Sequence, residues 1–311
     1  MTGILILNYN NTDDLKKCID SICRYCMMDE IKIVVVDNGS TIEVFNEISN
    51  YLFTIFNQNY SKVSYNEDTE RLNKVTYLRL PKNVGYAKGN NEGLRLLFAD
   101  TDIDDILVLN SDIILTCDII SPLLFERQKY ENVGAISPLL VHTNNKIDYS
   151  CARKNYSDLC LLLTFSYLFA RKYYKLRQCS DMLMANPELF NESSFEIELP
   201  SGSCMLVAKD IFRRIGGFDE NTFLYYEENI LYEKFKMLNC KSYLVPKISC
   251  IHVGGSTTNS TKSSLFLKKC NYNSLIYYLK SYRKICLLKL IYLHLSANIR
   301  MFKMRLNTIF H

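Results

Sequence analysis

The chain has 311 residues, of which 48% are hydrophobic and 23% are charged, and its formal net charge is +4. This composition excludes disordered, collagen-like and small disulfide-scaffold chains, and the length suits one large domain or two smaller ones. All 33 acidic residues lie in residues 1–233, whereas residues 234–311 hold 14 Lys and Arg residues. The basic C-terminal quarter predicts an anionic partner, either lipid head groups or nucleic acid.

Strand-like and helix-like segments alternate along the chain, which predicts an α/β fold with a mostly parallel central sheet flanked by helices. The predicted strands are Ile4–Asn8, Ile31–Asp37, Val75–Leu80, Ile106–Asn110, Val133–Leu140, Ser203–Ala208 and Ser242–Val245. The predicted helices are Thr12–Cys26, Ile42–Phe56, Tyr86–Phe98, Ile119–Tyr130, Asp210–Ile215 and Glu228–Leu238. Residues 57–74 are polar, and we predict a solvated excursion there.

Twelve cysteines follow a start that lacks the features of a signal peptide, so we expect free thiols in a reducing cytosol. Cys18, Cys23 and Cys26 have the spacing of part of a plant-type iron–sulfur ligand set. The same cysteines share a helical stripe with three aliphatic residues, Leu15, Ile19 and Ile22. Because helical periodicity accounts for all six residues, the buried stripe of an amphipathic helix is the favoured interpretation.

Two apolar segments fit the alternation of strands and helices poorly. Leu159–Ala170 is followed by two basic residues and is too short to span a bilayer. Residues 262–311 predict helices that carry Leu, Ile, Tyr and Phe beside ten Lys or Arg residues. This pattern favours an interfacial membrane helix, with a basic helix packed on the protein body as the alternative. We therefore divide the chain into a main domain, residues 1–257, and a basic amphipathic helical segment, residues 258–311.

Polar residues follow four of the predicted strands, at the point where each strand ends. The four runs are Asn8-Tyr9-Asn10, Asp37-Asn38-Gly39-Ser40, the segment 81–86, and Asn110-Ser111-Asp112. Each run alone is typical of a helix cap or a turn. Because ligands of open parallel sheets bind beyond the carboxyl ends of the strands, the four runs together predict a binding site.

The sequence excludes two common ways of binding a nucleotide at such an edge. It has neither a G-x-G-x-x-G run after the first strand nor a G-x-x-x-x-G-K-[ST] loop. A nucleotide would therefore be recognised by side chains, with Asp37 accepting hydrogen bonds from base or ribose and Asn83 able to donate and accept. Asp112 could hold a divalent cation through oxygen, with diphosphate oxygens and water completing the shell, or it could be a turn residue.

Two further groups of residues have the chemistry of a catalytic site. Glu227 and Glu228 follow the aromatic run 223–226, and adjacent carboxylates beside aromatic walls favour a general base near neutrality. The alternative is that they form the acidic first turn of the next helix. His252 lies in a Gly-rich turn, where it could be a ligand or a capping residue.

These motifs, in this order over about residues 3–257, resemble family 2 glycosyltransferases with the GT-A fold, and the rhamnosyltransferase-like branch in particular. The runs already quoted carry the resemblance together with Asn83–Asn91, Pro200–Met205, Gly216–Glu220, Phe223–Glu228 and Ile251–Ser256. The resemblance implies a Rossmann-like GT-A domain at residues 1–257 that binds a nucleotide sugar and catalyses transfer. Enzymes of the rhamnosyltransferase-like branch build bacterial surface polysaccharides, and the resemblance implies the same role here.

The resemblance implies a role for each matched residue. The nucleotide-sugar contacts would be Asn8, Tyr9, Asp37, Asn38, Asn83, Gly85, Asn90, Asn110 and Ser111. Mg²⁺ or Mn²⁺ would be held by Asp112 and His252, Glu228 would be the general base beside Glu227, and the acceptor would meet Gly202, Ser203 and Tyr226. The chain departs from the family pattern in three places: Asn110 and Ile230 each replace an Asp, and Glu228 replaces the commoner Asp.

The resemblance implies an inverting, metal-assisted glycosyltransferase. It would move a sugar from a nucleoside-diphosphate donor to a lipid-linked or growing surface glycan of the capsule, O-antigen or lipopolysaccharide type. We expect a cytoplasmic protein bound peripherally to the inner membrane through its basic C-terminal segment, without a nucleic-acid partner and with a homodimer as an option. Residues 159–198 would lie near the acceptor. The alternatives are a sugar-phosphate nucleotidyltransferase, whose basic loop after strand one is missing, and a nucleotide- or glycan-binding module without activity.

Overall fold

The computed structural model describes residues 1–67, 69–165, 187–254 and 264–309, and a central β-sheet runs through this part of the chain. Its strands are β1 (Thr2–Asn8), β2 (Ile31–Asp37), β3 (Tyr60–Ser64), β4 (Val75–Arg79), β5 (Asp105–Asn110), β6 (Ile113–Leu115), β7 (Val133–Val141), β9 (Phe195–Ile197), β11 (Cys204–Ala208) and β12 (Lys241–His252). Two short strands, β8 (Ala152–Arg153) and β10 (Leu199–Pro200), pair separately.

The strand order is β3-β4-β2-β1-β5-β11-β7-β12-β6, with β9 beside β12. The first five strands in this order are mutually parallel, and β12 is parallel to β7, whereas β11, β6 and β9 run antiparallel to their neighbours. In the parallel part, Asn8 lies opposite Asp37 and Leu7 opposite Asn110. The carboxyl ends of β1, β2 and β5 therefore meet at one edge of the sheet, as the sequence predicted.

Nine helices within the described residues cover the sheet and extend the chain beyond it. They are α1 (Asp13–Tyr25), α2 (Ile42–Phe56), α3 (Tyr86–Ala99), α4 (Ile120–Arg127), α5 (Asp158–Phe165), α6 (Lys209–Arg214), α7 (Glu227–Met237), α8 (Ser264–Ser281) and α9 (Leu287–Ile309). Alternate residues of β1 enter two different cores: Ile4 and Ile6 pack with the buried face of α1, and Leu5 packs with α3. The sheet is thus covered on both faces.

The cysteine stripe of α1 confirms the helical interpretation. Leu15, Cys18 and Ile22 are fully buried against the sheet, and Cys26, directly after the helix, is also buried. All three cysteines of the stripe are free thiols. Burial by apolar neighbours raises the pKa of Cys26 to about 12, so this thiol stays protonated and inert.

Two predictions in the sheet region were wrong. Residues 57–74 contain the edge strand β3, which pairs in parallel with β4. Its sequence reads as polar because only Val63 is buried, while an edge strand exposes its other side chains to water. The last strand was predicted to end at Val245, but β12 continues past Pro246 to His252 through a register shift between Val245 and Ser249. Such an irregularity accommodates a proline that cannot donate a backbone hydrogen bond.

The C-terminal helices pack against the main domain through a third apolar cluster. Its buried residues are Leu161, Leu162, Ile230, Leu275, Tyr278, Leu279, Leu290 and Leu293. Ile230, which stands where the family pattern usually has Asp, is therefore a contact between α7 and the C-terminal helices. The predicted boundary between residues 257 and 258, and residues 166–170 of the apolar run, lie outside the described residues. In the part of the chain that the structure describes, no helix has the length and apolar character needed to cross a bilayer.

We predict that Ile230→Asp lowers the free energy of unfolding by about 3 kcal/mol or more, because an unpaired charge would be buried in this cluster. The matched control is Ile291→Asp on α9, where the side chain is 45% exposed and the loss should be about 1 kcal/mol or less. Urea unfolding followed by circular dichroism measures both. Equal losses in the two variants would show that the third cluster does not stabilise the fold.

Candidate functional site

A cavity of about 350 Å³ lies beyond the carboxyl ends of β1, β2 and β5. Residues from the strand ends, the start of α3, and the loop before α7 form its wall: Leu7, Asn8, Tyr9, Asn38, Asn83, Gly85, Tyr86, Asn110, Ser111, Asp112, Ser203, Phe223, Leu224, Tyr225 and His252. The wall is polar where strands end and aromatic where the loop closes over it. A volume of this size suits a small polar ligand with an aromatic ring.

Most of the predicted site residues meet in this cavity. Ten of the sixteen line it: Asn8, Tyr9, Asn38, Asn83, Gly85, Asn110, Ser111, Asp112, Ser203 and His252. Six lie outside its lining: Asp37, Asn90, Gly202, Tyr226, Glu227 and Glu228. The structure thus brings the predicted nucleotide and metal residues together and sets the predicted base behind them.

Asn8 is a buried amide at the end of β1 whose polar atoms are unsatisfied. The residue is 1% exposed, and its Oδ1 and Nδ2 have no hydrogen-bond partner among the described residues. A buried amide without partners is unfavourable by about 1–3 kcal/mol. Since Asn8 lines the cavity, a ligand with one donor and one acceptor would relieve this loss.

Asp37, at the end of β2, is fully buried and does not reach the cavity wall. Its Oδ2 accepts a hydrogen bond from the Ser40 amide at 3.3 Å and lies 4.0 Å from Arg79 Nε. Burial raises the pKa of Asp37, and the Ser40 bonds and the Arg79 charge offset part of this effect. Contact between Asp37 and a nucleotide base stays a prediction.

Asn38 and Asn83 shape the loop between β4 and α3. Asn38 donates to the Gly85 carbonyl at 3.1 Å and accepts from the Val84 amide at 3.0 Å, while Asn83 Oδ1 accepts from the Gly85 amide at 3.0 Å. Gly85 has φ +93°, and a side chain there would overlap the carbonyl oxygen of Phe223. The loop therefore needs glycine at this position to present the first turn of α3 to the cavity.

Asn90 lies on the inner side of α3 rather than in the cavity. It is 1% exposed, and its Nδ2 donates to the Tyr86 carbonyl one turn earlier at 3.0 Å. Its Oδ1 has no partner within the described part of the chain. The structure therefore gives Asn90 a contact within its own helix, and its predicted contact with the donor stays a prediction.

Asp112 and His252 face each other in the wall of the cavity. His252 Nε2 lies 3.6 Å from Asp112 Oδ2, and His252 Nδ1 lies 2.7 Å from Asp148 Oδ2. In the neutral tautomer that donates Nδ1–H to Asp148, the lone pair of Nε2 is available to a cation. Two ligand atoms about 2.1 Å from one cation lie roughly 3.0–4.2 Å apart, so this pair has the spacing to share a cation.

The charges of this group are set by burial and by mutual contact. Burial raises the pKa of Asp112, partly offset by His252. Burial alone would lower the pKa of His252, but the hydrogen bond to Asp148 and the two carboxylate charges raise it overall. The hydrogen bonds from His252 and Ser150 outweigh burial and hold the pKa of Asp148 well below its usual range. Asn110, which stands where a second Asp would add charge, instead donates to Ser203 Oγ at 3.2 Å.

The loop before α7 is conformationally strained. Tyr225 (φ 72°) and Tyr226 (φ 67°) are consecutive left-handed residues that carry side chains, which is unfavourable by about 1–3 kcal/mol each. Contacts with α8 hold this loop in place, because Ser274 Oγ donates to the Leu224 carbonyl at 2.8 Å and Tyr226 stacks on Tyr278. The strain directs the chain into α7, whose first residues are the two predicted catalytic carboxylates.

Glu227 and Glu228 have different environments. Burial and the neighbouring Glu228 charge raise the pKa of Glu227 to about 8, so it is protonated at neutral pH. Glu228 Oε1 accepts a hydrogen bond from the Gly202 amide at 2.9 Å, and its Oε2 is paired with Arg153. The Gly202 carbonyl accepts from the Tyr86 hydroxyl at 2.7 Å. Glu228 therefore lies directly behind the part of the cavity wall formed by Tyr86 and Ser203.

Sequence reasoning missed several residues of this site. Asp148 and Arg153 lie in a stretch without a recognisable motif and contact the predicted residues only through the tertiary fold. Tyr86 was quoted within a motif but given no role. The aromatic run Phe223–Tyr226 was noted beside the carboxylates. Its aromatic composition could have predicted that it forms part of the cavity wall.

Three comparisons with known proteins agree with this geometry. Residues 3–216 match the sequence profile of Glycosyl transferase family 2. The chain is 24% identical over 226 residues to the low-salt glycan biosynthesis hexosyltransferase Agl10 of Haloferax volcanii, covering 73% of this chain and 58% of the relative. It is 24% identical over 202 residues to an N-acetylglucosaminyl-diphospho-decaprenol L-rhamnosyltransferase of Mycobacterium tuberculosis, covering 63% and 64%. The chain thus spans about three-fifths of the length of these relatives.

Solved structures show the same fold. GalNAc-T7, solved with UDP, GalNAc and Mn²⁺, superposes with a TM-score of 0.61 at 12% identity, covering 91% of this chain and 49% of that one. The mannosyltransferase PcManGT of Pyrobaculum calidifontis, solved with GDP-Man and Mn²⁺, gives a TM-score of 0.56 at 14% identity, covering 95% and 70%. These matches confirm the predicted GT-A fold, and the rhamnosyltransferase relative confirms the predicted resemblance to that branch. With a profile match over most of its length and the matched motifs gathered at one cavity, the chain belongs to glycosyltransferase family 2.

Proposed function

We propose that the protein transfers a sugar, with inversion, from a nucleoside-diphosphate sugar to a hydroxyl of a lipid-linked or growing surface glycan. The observation that supports this most directly is the cavity itself. Its wall holds the Asp112–His252 pair, and Glu228 lies behind the wall at Gly202 and Ser203. Inverting transfer requires a cation site and a carboxylate beside one cavity.

The donor would lie along the strand ends. The unsatisfied amide of Asn8 and the ring of Tyr9 would meet the base, and Asn83 would meet the ribose or diphosphate. Asn110 and Ser111 would contact the donor close to Asp112. Two solved neighbours contain UDP or GDP-Man in their structures, which supports a nucleotide sugar as the donor class.

The residues present fit Mg²⁺ or Mn²⁺ held mainly by the donor. Across residues 1–67, 69–165, 187–254 and 264–309, no three His, Cys, Asp or Glu side chains form a metal-binding group. Asp112 and His252 would supply two ligands, and diphosphate oxygens and water would supply the rest. The Mn²⁺ in the two solved neighbours supports this cofactor class. A bound cation would neutralise the charge that develops on the departing diphosphate.

Glu228 would act as the general base. It removes the proton from the acceptor hydroxyl as the hydroxyl oxygen forms a bond to the anomeric carbon. The bond from that carbon to the diphosphate oxygen breaks, and the nucleoside diphosphate leaves with the electron pair. Glu227, protonated at neutral pH, cannot take this proton. Gly202, Ser203 and Tyr226 are the proposed contacts of the acceptor.

We predict that Glu228→Gln lowers transfer by ~10²–10⁴-fold, because the proton acceptor is lost. Donor affinity should stay near normal, because Glu228 does not line the cavity assigned to the donor. Glu227→Gln is the matched control: an amide resembles the protonated acid, so activity should fall by less than about 10-fold. Activity is measured with Mn²⁺ or Mg²⁺ on a panel of UDP-, GDP- and dTDP-sugars. Full activity of Glu228→Gln contradicts the assignment of the base, and binding of no donor in the panel contradicts the proposed function.

We predict that Asp112→Asn weakens Mn²⁺-dependent donor binding by about 10-fold or more, because a cation ligand loses its charge. Asp29→Asn, an exposed carboxylate before the amino end of β2, is the control and should bind like the wild type. Calorimetric titration of the nucleoside diphosphate with and without EDTA measures the effect. An Asp112→Asn variant with unchanged Mn²⁺ dependence would show that Asp112 is not a ligand.

We further propose that α9 binds an anionic lipid surface. Apolar side chains are exposed along its described part: Leu287, Leu288, Ile291, Tyr292, Leu295 and Ile299. Lys284 and Lys289 are exposed beside them, and residues 234–311 contain no acidic residue. An apolar stripe with a basic surround is typical of helices that lie in the membrane interface. This would bring a lipid-linked acceptor to the cavity. A cytoplasmic, inner-membrane location and a homodimer through these helices stay predictions.

We predict that Leu288→Gln with Leu295→Gln lowers binding to phosphatidylglycerol-containing vesicles by ~10-fold or more, since two exposed leucines no longer enter the interface. Met237→Gln, which changes an exposed apolar residue of α7, should have little effect. Co-sedimentation measures binding, and pure phosphatidylcholine vesicles should bind the wild type more weakly. Equal binding of both variants would exclude the stripe as the docking surface.

A further inference from the structure

One short segment, Asp148–Arg153, contacts both halves of the proposed site. Its first residue holds His252, and its last residue is paired with Glu228. Between them, the Ser150 amide donates to Asp148 Oδ1 at 2.9 Å, which closes a turn after β7. None of the residues in this segment was predicted to act in the reaction. The proposed function uses only the two residues that the segment contacts, His252 and Glu228.

Arg153 is held from several directions. Its backbone pairs with Leu199 in the β8–β10 ladder, and its Nε donates to the Ser150 carbonyl at 3.2 Å. Its Nη2 donates to Glu228 Oε2, while the Gly202 amide donates to the other oxygen of Glu228 at 2.9 Å. The Arg153 side chain is 22% exposed and the Glu228 side chain 17% exposed, so little water competes for this pair.

These contacts fix the rotation of the Glu228 carboxylate. A planar guanidinium and a backbone amide, one on each oxygen, define its plane, and each oxygen keeps a lone pair for a proton. The titratable groups around the pair are Glu227, Tyr86 and Tyr156. Among the described residues that face Glu228, Arg153 carries the positive charge. This charge offsets the repulsion between two adjacent glutamates.

We propose that Arg153 is a positioning residue of the transfer reaction: it holds the Glu228 carboxylate in the orientation that faces the acceptor. This inference rests on the proposed function, because it assumes that Glu228 is the base. It assigns the orientation of the base to a residue outside the family motifs.

The test is a double-mutant cycle of Arg153→Gln and Glu228→Gln. Turnover is measured with the nucleotide sugar that reacts fastest among the UDP-, GDP- and dTDP-sugars. We expect Arg153→Gln to lower kcat by about 10–100-fold with little change in donor KM. In the Glu228→Gln background the same change should lower kcat by less than about threefold, because its partner is already gone.

The pH profile separates positioning from a merely structural effect. Loss of the cation stabilises the protonated form of a carboxylate, so the acidic limb of kcat should move to higher pH in Arg153→Gln. Arg153→Lys keeps the charge without the planar fork, and we expect a lower kcat with a less shifted limb. Arg127→Gln is the matched control, since Arg127 pairs with Asp105 with similar exposure at the opposite edge of the sheet.

The outcomes distinguish the inference from the proposed function. An inactive Glu228→Gln with a fully active Arg153→Gln overturns the inference and leaves the base assignment intact. An equal loss from Arg153→Gln in both backgrounds also overturns it, because the effect would then not pass through Glu228. A fully active Glu228→Gln contradicts the proposed base itself. Thermal melts of each variant confirm folding before kinetics are compared.

Discussion

The register of β1 against β2 and β5 is the constraint on which the rest of the structure depends. It aligns Asn8 with Asp37 and Leu7 with Asn110, so that polar residues from three strands meet at one edge. The register is rigid because both faces of β1 are buried in different apolar cores, and a slip of one residue would exchange those faces. The cavity lies at this edge because the polar groups beyond the strand ends do not pack into either apolar core.

The opposite wall depends on the C-terminal helices. Tyr225 and Tyr226 adopt an unfavourable backbone conformation, which persists only where surrounding contacts determine it. Ser274 and Tyr278 of α8 provide such contacts, and Asp219 accepts hydrogen bonds from two tyrosine hydroxyls of the segment 277–282. The helical segment that carries the exposed apolar stripe therefore also supports the cavity. In the proposed function, α9 would meet the lipid surface while α8 of the same segment stabilises the acceptor side of the site.

Charged residues form two groups around the cavity, and the arrangement suits the proposed reaction. In the proposed cation site, His252 contacts both Asp112 and Asp148. At the proposed base, Glu228 pairs with Arg153, and burial raises the pKa of the neighbouring Glu227. The segment from Asp148 to Arg153 connects the sides, so that a change at one of them would be transmitted through five peptide bonds of ordered backbone.

Much of this protein could be predicted from its residues because the signals are local. Strands buried on both faces are runs of Val, Ile and Leu, and polar residues that follow such runs mark the edge where ligands bind. The edge strand β3 and the continuation of β12 past Pro246 escaped prediction, because an edge strand needs few apolar residues and a bulge leaves no composition signal.

The sequence by itself determined the buried strands at the centre of the sheet, the motifs at their ends and the family, since each follows from periodicity and from short runs in a fixed order. Only the tertiary structure decided that Arg153 meets Glu228 across 75 positions and that Asp37 is covered while Asn8 is open to the cavity. It also decided that Glu227 is buried beside Glu228, which raises the pKa of Glu227. The physical reason is that charge states and contacts depend on which distant groups a fold brings within a few ångströms, and no local pattern records those distances.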